Sequence, residues 1–175
     1  MKKLFFLLTS CMMYSGLFAQ TVLINKGDHY AGAKLALGSI GGSSVGIIGS
    51  FEMGLQENIG VGGSMAYSGY SESIGVGEWS YSNILVIVTG TYHVDLLKIE
   101  KLDTWGAINI GYNVASASWK WTSNPLNLPD PSVSVGGFVV GLSANARYML
   151  SEQWYATAGV GFGLGTLNIG IDYKL

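Results

Sequence analysis

The last ten residues, TLNIGIDYKL, alternate without exception: Leu167, Ile169, Ile171, Tyr173 and Leu175 interleave with Thr166, Asn168, Gly170, Asp172 and Lys174. Successive side chains leave a strand on opposite sides, so this period of two predicts a strand with two unlike surroundings. The same alternation recurs along the chain and predicts eight strands, at 30–40, 44–55, 58–70, 80–94, 104–118, 133–149, 154–163 and 166–175. No stretch has the period of a helix. Turn-like residues fill the gaps: Gly41-Gly42-Ser43, Gln56-Glu57-Asn58, Ser71 to Glu78, Asp95 to Asp103, Trp119 to Ser132, Ser151-Glu152-Gln153 and Gly163-Leu164-Gly165. All three prolines (Pro125, Pro129, Pro131) lie after the fifth strand, and proline cannot donate to a ladder, so that segment is predicted as loop.

One apolar face runs through all eight strands, for example Ile47 and Phe51, Met65 and Tyr67, Val86 and Val88, Ile108 and Ile110, Val140 and Leu142, while the other is mostly Gly, Ser, Thr, Ala and Asn. Two architectures produce this pattern. A soluble lipocalin-like carrier turns the apolar face inward, and an outer-membrane barrel turns it outward. Composition separates them: the chain is 49% hydrophobic and 11% charged, where a soluble protein carries roughly 25% charge. The strands as predicted hold only Lys34, Glu52, Arg147, Asp172 and Lys174, and all five share the small, polar face. Small residues suit the inside of a narrow barrel. A membrane also requires every backbone polar group to be paired internally, which among sheets only a closed barrel achieves. The expectation is an all-β, eight-stranded antiparallel up-and-down transmembrane β-barrel with its apolar face toward lipid. Aromatics near the strand ends fit interfacial girdles: Tyr92, Tyr148, Trp154 and Tyr173 on one side, Tyr67, Trp79, Tyr81, Trp119 and Trp121 on the other.

The N-terminus, MKKLFFLLTSCMMYSGLFAQ, has Lys2 and Lys3 ahead of an apolar run and small residues up to Ala19. This is the pattern of a secretory signal peptide over 1–19, with the barrel domain over 20–175. Cys11 is the only cysteine, and cleavage after Ala19 leaves a chain without thiol chemistry.

This organisation resembles the small eight-stranded outer-membrane barrels of the OmpA and OmpX type over essentially the whole exported chain. The likeness is carried by GLQENIGVGGSMAYSGY, similar to a compact turn and the strand after it, by YHVDLLKIEKLDTWGAINIGYN, similar to the second such turn with a Gly-rich strand, and by TLNIGIDYKL, similar to the closing strand. The resemblance implies an integral outer-membrane location in a Gram-negative envelope, compact turns and both termini in the periplasm, and long loops outside. It also implies contact with outer-membrane lipid and recognition of the last strand by the barrel-assembly machinery. That strand ends here in Leu175 instead of the usual aromatic.

Candidate chemistry is sparse. His29 and His93 lack the companions of a metal site, and His93 has inward parity near a strand end, which points to a structural hydrogen bond. Gly159-Val160-Gly161-Phe162-Gly163 is not between a strand and a helix, as a phosphate loop must be. With Lys2 and Lys3 removed the chain is net −4, which argues against nucleic acid. No cofactor and no catalytic residue is predicted. The expected site features are a lumenal charge cluster of Lys34, Glu52, Arg147 and Asp172 that closes the barrel, and recognition by Trp79, Trp119 and Trp121 in the segments 71–79 and 119–132, taken as extracellular loops. The expected function is that of a small monomeric integral outer-membrane barrel protein, structural and surface-exposed, with a closed lumen and with recognition or adhesion supplied by its extracellular loops. The alternatives are a narrow porin-like channel, a soluble carrier or a lipid-modifying outer-membrane enzyme.

Overall fold

The computed structural model describes residues 24–40, 43–123 and 128–175. The predicted signal peptide lies outside these residues. Eight strands follow one another: β1 (His29–Ile40), β2 (Ser43–Gln56), β3 (Ile59–Ile74), β4 (Gly77–His93), β5 (Leu102–Trp121), β6 (Ser132–Met149), β7 (Trp154–Phe162) and β8 (Leu167–Lys174). Each pairs antiparallel with its neighbour in sequence, and β1 closes on β8 from Tyr30 opposite Lys174 to Leu37 opposite Leu167. The result is a closed eight-stranded transmembrane β-barrel.

The outward face is the apolar one. Val86, Val88, Ile108, Ile110, Val140 and Val160 are all more than half exposed, an arrangement that water penalises and lipid accepts. Glycine on the other face lets the narrow interior close. A Cβ on Gly62, Gly111, Gly141 or Gly170 would come within 2.3 Å of a neighbouring backbone carbonyl oxygen.

The strands differ in length, and this departs from the sequence expectation. Residues 71–79 are not a loop. β3 and β4 stay in register up to Ile74 opposite Gly77, and turn through Gly75, whose φ of +57° a β-carbon would oppose. β5 continues through Trp119 to Trp121, so Trp79, Trp119 and Trp121 are all strand residues. Described loop at this end of β5 is confined to Thr122, Ser123 and 128–131. The upper parts of β3 to β6 therefore form a four-stranded sheet projecting beyond β7, β8, β1 and β2, which stop near Phe162, Leu167, Ile40 and Ser43. Asp103 was also expected in a turn, yet it lies in β5 opposite Arg147, and Glu72, Glu78 and Lys120 fall in the projecting strands.

Candidate functional site

The inward residues of β4 lead through the interior from the short-turn end to the projection: His93, Thr91, Thr89, Ile87, Leu85, Asn83, Tyr81 and Trp79. Each falls in a layer with its own chemistry.

The first layer is ionic. Arg147, fully buried, donates from Nε to Asp103 Oδ2 at 2.9 Å and from Nη1 to Glu52 Oε2 at 2.9 Å. Its guanidinium lies 3.7 Å from the centroid of Tyr30, with Trp105 at 4.9 Å. Each ring nitrogen of His93 faces a carboxylate: Nδ1 lies 2.8 Å from Asp103 Oδ2, and Nε2 lies 3.0 Å from Glu52 Oε1. A doubly protonated imidazolium satisfies both contacts. Thr91 adds a donor to Glu52 at 2.7 Å. Lys34 pairs with Asp172 at 3.4 Å on the opposite wall. The structure thus brings Glu52 to Arg147 and Lys34 to Asp172, and adds Asp103 and His93. With His93 charged, three cations face three anions. Beneath this layer the segment before β1 folds against the barrel mouth: Ile24 is completely buried with Tyr30 and Tyr155, and Gly27 and Asp28 bond to both sides of the Gly54 peptide.

Above the ions comes a polar layer, with Thr89 donating to Asn109 at 2.8 Å and two cavities of about 60 and 70 Å³ lined by Ser50, Ser64, Thr89 and Lys34. An apolar plug follows. Ala36, Ile48, Ala66, Leu85 and Ile87 pack together in the lumen, with Val139 and Leu164 against them. The plug was not anticipated from the sequence, because β4 carries the unbroken run ILVIV, in which period-two parity has no contrast to display.

Beyond the plug the strands leave the barrel and their faces exchange polarity. Outside, the register places Gly69, Ser82, Ser116 and Ser134 in one row and Ser71, Ser80, Ser118 and Ser132 in the next. Hydroxyls pair across the strands, Ser71 with Ser80 at 3.2 Å and Ser116 with Ser134 at 3.1 Å. The face continuous with the lumen becomes apolar and aromatic. Tyr70 stacks on Tyr81 at 4.6 Å between centroids, Tyr81 neighbours Trp79 at 6.2 Å, Trp79 meets Trp119 at 5.4 Å, and Trp119 meets Trp121 at 5.3 Å. Beside this row, Val133 and Val135 are exposed. The three tryptophans expected in loops are therefore strand residues of one continuous surface, extended by Tyr70 and Tyr81, which already lay within the predicted strands 58–70 and 80–94.

No protein-family profile and no curated protein matches the chain. Solved structures do. The attachment invasion locus protein Ail of Yersinia pestis, in complex with the heparin analogue sucrose octasulfate, is similar at a TM-score of 0.54 and 15% identity, over 87% of this chain and 100% of that one. The N-terminal β-barrel domain of Pseudomonas aeruginosa OprF gives 0.54 and 12%, over 86% and 98%. A de novo designed transmembrane β-barrel gives 0.54 and 14%, over the same shares. At such identities the likeness is one of architecture: the chain has the fold of the small eight-stranded outer-membrane β-barrels.

Proposed function

We propose that this chain is an integral outer-membrane protein with a sealed barrel for an anchor and the projecting sheet for a recognition or adhesion surface. The observation that carries this reading is the projection itself, with an aromatic face held clear of the apolar band. In the proposed orientation the short turns and both termini are periplasmic, the projection is outside the cell, and the last strand is the element read by the assembly machinery. The chain acts as a monomer and is not an enzyme. Ail, a neighbour named for attachment and invasion, is solved with a polyanionic heparin analogue. The projection here carries Glu72, Glu78 and Asp130 against Lys120 alone, a balance unsuited to the same ligand class.

The test uses intact cells. A cysteine replacing Ser123 is expected to react with an impermeant thiol reagent, and one replacing Glu57 is not. Excising 71–78 with a tight turn in its place is expected to abolish cell attachment while the barrel still reaches the membrane. Undiminished attachment would remove the adhesion reading, and reversed labelling would remove the orientation.

The second reading, a narrow channel, draws on the polar cavities between the ionic layer and the plug. Planar-bilayer recording separates the two, since a barrel closed by both layers is expected to show no steady conductance. A stable open level in the unmodified protein would favour the channel.

A further inference from the structure

We propose that the inner face of the projecting sheet binds a proline-rich, non-acidic polypeptide segment in the polyproline II conformation. The inference rests on the reading of the projection as a recognition surface, and supplies its ligand class. A row of aromatic rings with exposed valines beside it, held in water, is the kind of apolar patch that marks an interaction site. Aromatic-lined grooves take up proline-rich segments, because the polyproline helix is extended before binding and its carbonyls remain free to accept hydrogen bonds.

The chain itself sets one proline carbonyl against a ring of this row. The indole Nε1 of Trp121 donates to the carbonyl of Pro129 at 3.3 Å, and the backbone N–H of Trp119 donates to the carbonyl of Pro131 at 2.9 Å. The second bond continues the β5–β6 ladder past Ser118 opposite Ser132, and the first holds a proline carbonyl on an indole at one end of the ring row. The row continues past it, through Trp119 and Trp79 to Tyr81 and Tyr70. Trp119 is buried, its ring lying over Gly77 where a side chain would strike it, and it forms the floor of the row beside the more open ring of Tyr70. A polyproline helix advances about 9 Å per turn of three residues, a stride comparable in scale to the ring cluster, whose neighbouring centroids lie 4.6 to 6.2 Å apart. On the ring face Glu72 lies opposite Trp79, while Glu78 and Lys120 oppose each other on the other face, so the binding face carries an anion and no cation in these rows, which disfavours polyanions and favours basic residues flanking the prolines.

The test is calorimetric titration of the purified full chain in phospholipid nanodiscs with three probes: a decaproline peptide flanked by arginines, a glycine-serine peptide with the same arginines, and a neutral linear hexasaccharide. Saturable binding of the proline peptide alone is expected. Trp79→Ala should weaken it about tenfold or more, and Ser80→Ala, on the opposite face of the same strand, should leave it unchanged. Tyr70→Ala, removing a ring that is 41% exposed, provides a second variant should Trp79→Ala fail to fold. Equal binding of the glycine-serine peptide, binding of the saccharide instead, or indifference to both ring deletions overturns the proposal. Cells that attach while the protein ignores the proline peptide would reject this site alone. A protein that binds the peptide on cells that do not attach would reject the adhesion reading alone.

Discussion

The lower and upper halves of β3 to β6 are built from the same four strands in the same unbroken pairing, yet their faces are opposite in character. In the barrel, Val86 and Ile110 look outward and Asn109 and Thr91 inward. In the projection, Ser80 and Ser118 look outward while Trp79 and Trp119 share the inward parity. Strand geometry dictates only that neighbours in sequence point to opposite sides. Which side is apolar is set by the surroundings, and the exchange between the Tyr67–Ile84–Val114 row and the Gly69–Ser82–Ser116 row puts the edge of the lipid there.

The largest perturbation of this contrast belongs to the lower half. Arg147→Ala leaves Glu52 and Asp103 buried without their guanidinium, a change of the class that costs about 3–5 kcal/mol. Urea titration of the protein in lipid vesicles is expected to show it, and a second replacement, Glu52→Gln, should cost less in the Arg147→Ala background than in the native protein. Strict additivity would mean that the two groups are solvated separately. Next comes a direct comparison of the two media along one face of one strand. Val86→Arg, at mid-membrane, is expected to cost about 2–4 kcal/mol, and Ser80→Arg, three positions outward on the same face of β4, close to none. Equal costs in the same titration would place both residues in the same medium and erase the boundary.

The smallest effect lies at the turn end. Asp28 accepts from the Asn25 N–H at 2.9 Å and pairs with Lys174 at 2.9 Å. Burial alone would raise its carboxyl, but these partners outweigh that and hold it below the ordinary value. A carboxyl depressed by folding contributes stability that is complete above the unfolded pKa of about 3.9 and is lost as pH falls through the folded value. Asp28→Asn is therefore expected to remove, by no more than about 1 kcal/mol, a part of the stability that depends on pH below 4. Unfolding midpoints across that range check it, and an unchanged acid limb would show that the pair is solvated.

Period two was enough to read the barrel from the sequence, because lipid outside and a small polar lumen inside give every lower strand maximal contrast. It failed in three places, each where the lower-strand contrast is absent, masked by charge or inverted. In ILVIV both faces are apolar, so the inward Leu85 and Ile87 were hidden. In DLLKIEKLD the charges look like turn, so Asp103 falls in the expected turn although its parity matches Trp105 and Ala107. In SESIGVGEWS the contrast inverts, and serines on the face that had been apolar looked like the end of a strand. Lys34, Glu52, Arg147 and Asp172 could be placed inward by counting. The link between Glu52 and Arg147 through His93 and Asp103 could not, because it joins β2 to β6 across the lumen, a separation that no count along one strand measures.

The pairing of β1 with β8 carries a consequence for how the molecule comes into being. Seven of the eight ladders join strands adjacent in sequence, and each can zip as a hairpin soon after its two strands exist. The eighth joins Tyr30 to Lys174 and spans nearly the entire chain, so its loop-closure entropy is the largest and it forms last. Until it does, the nascent sheet presents two raw edges with unpaired backbone groups, a template for aggregation. The barrel is therefore complete only once its last eight-residue strand, β8, has found its first, and the time this takes is the time the two edges stay open.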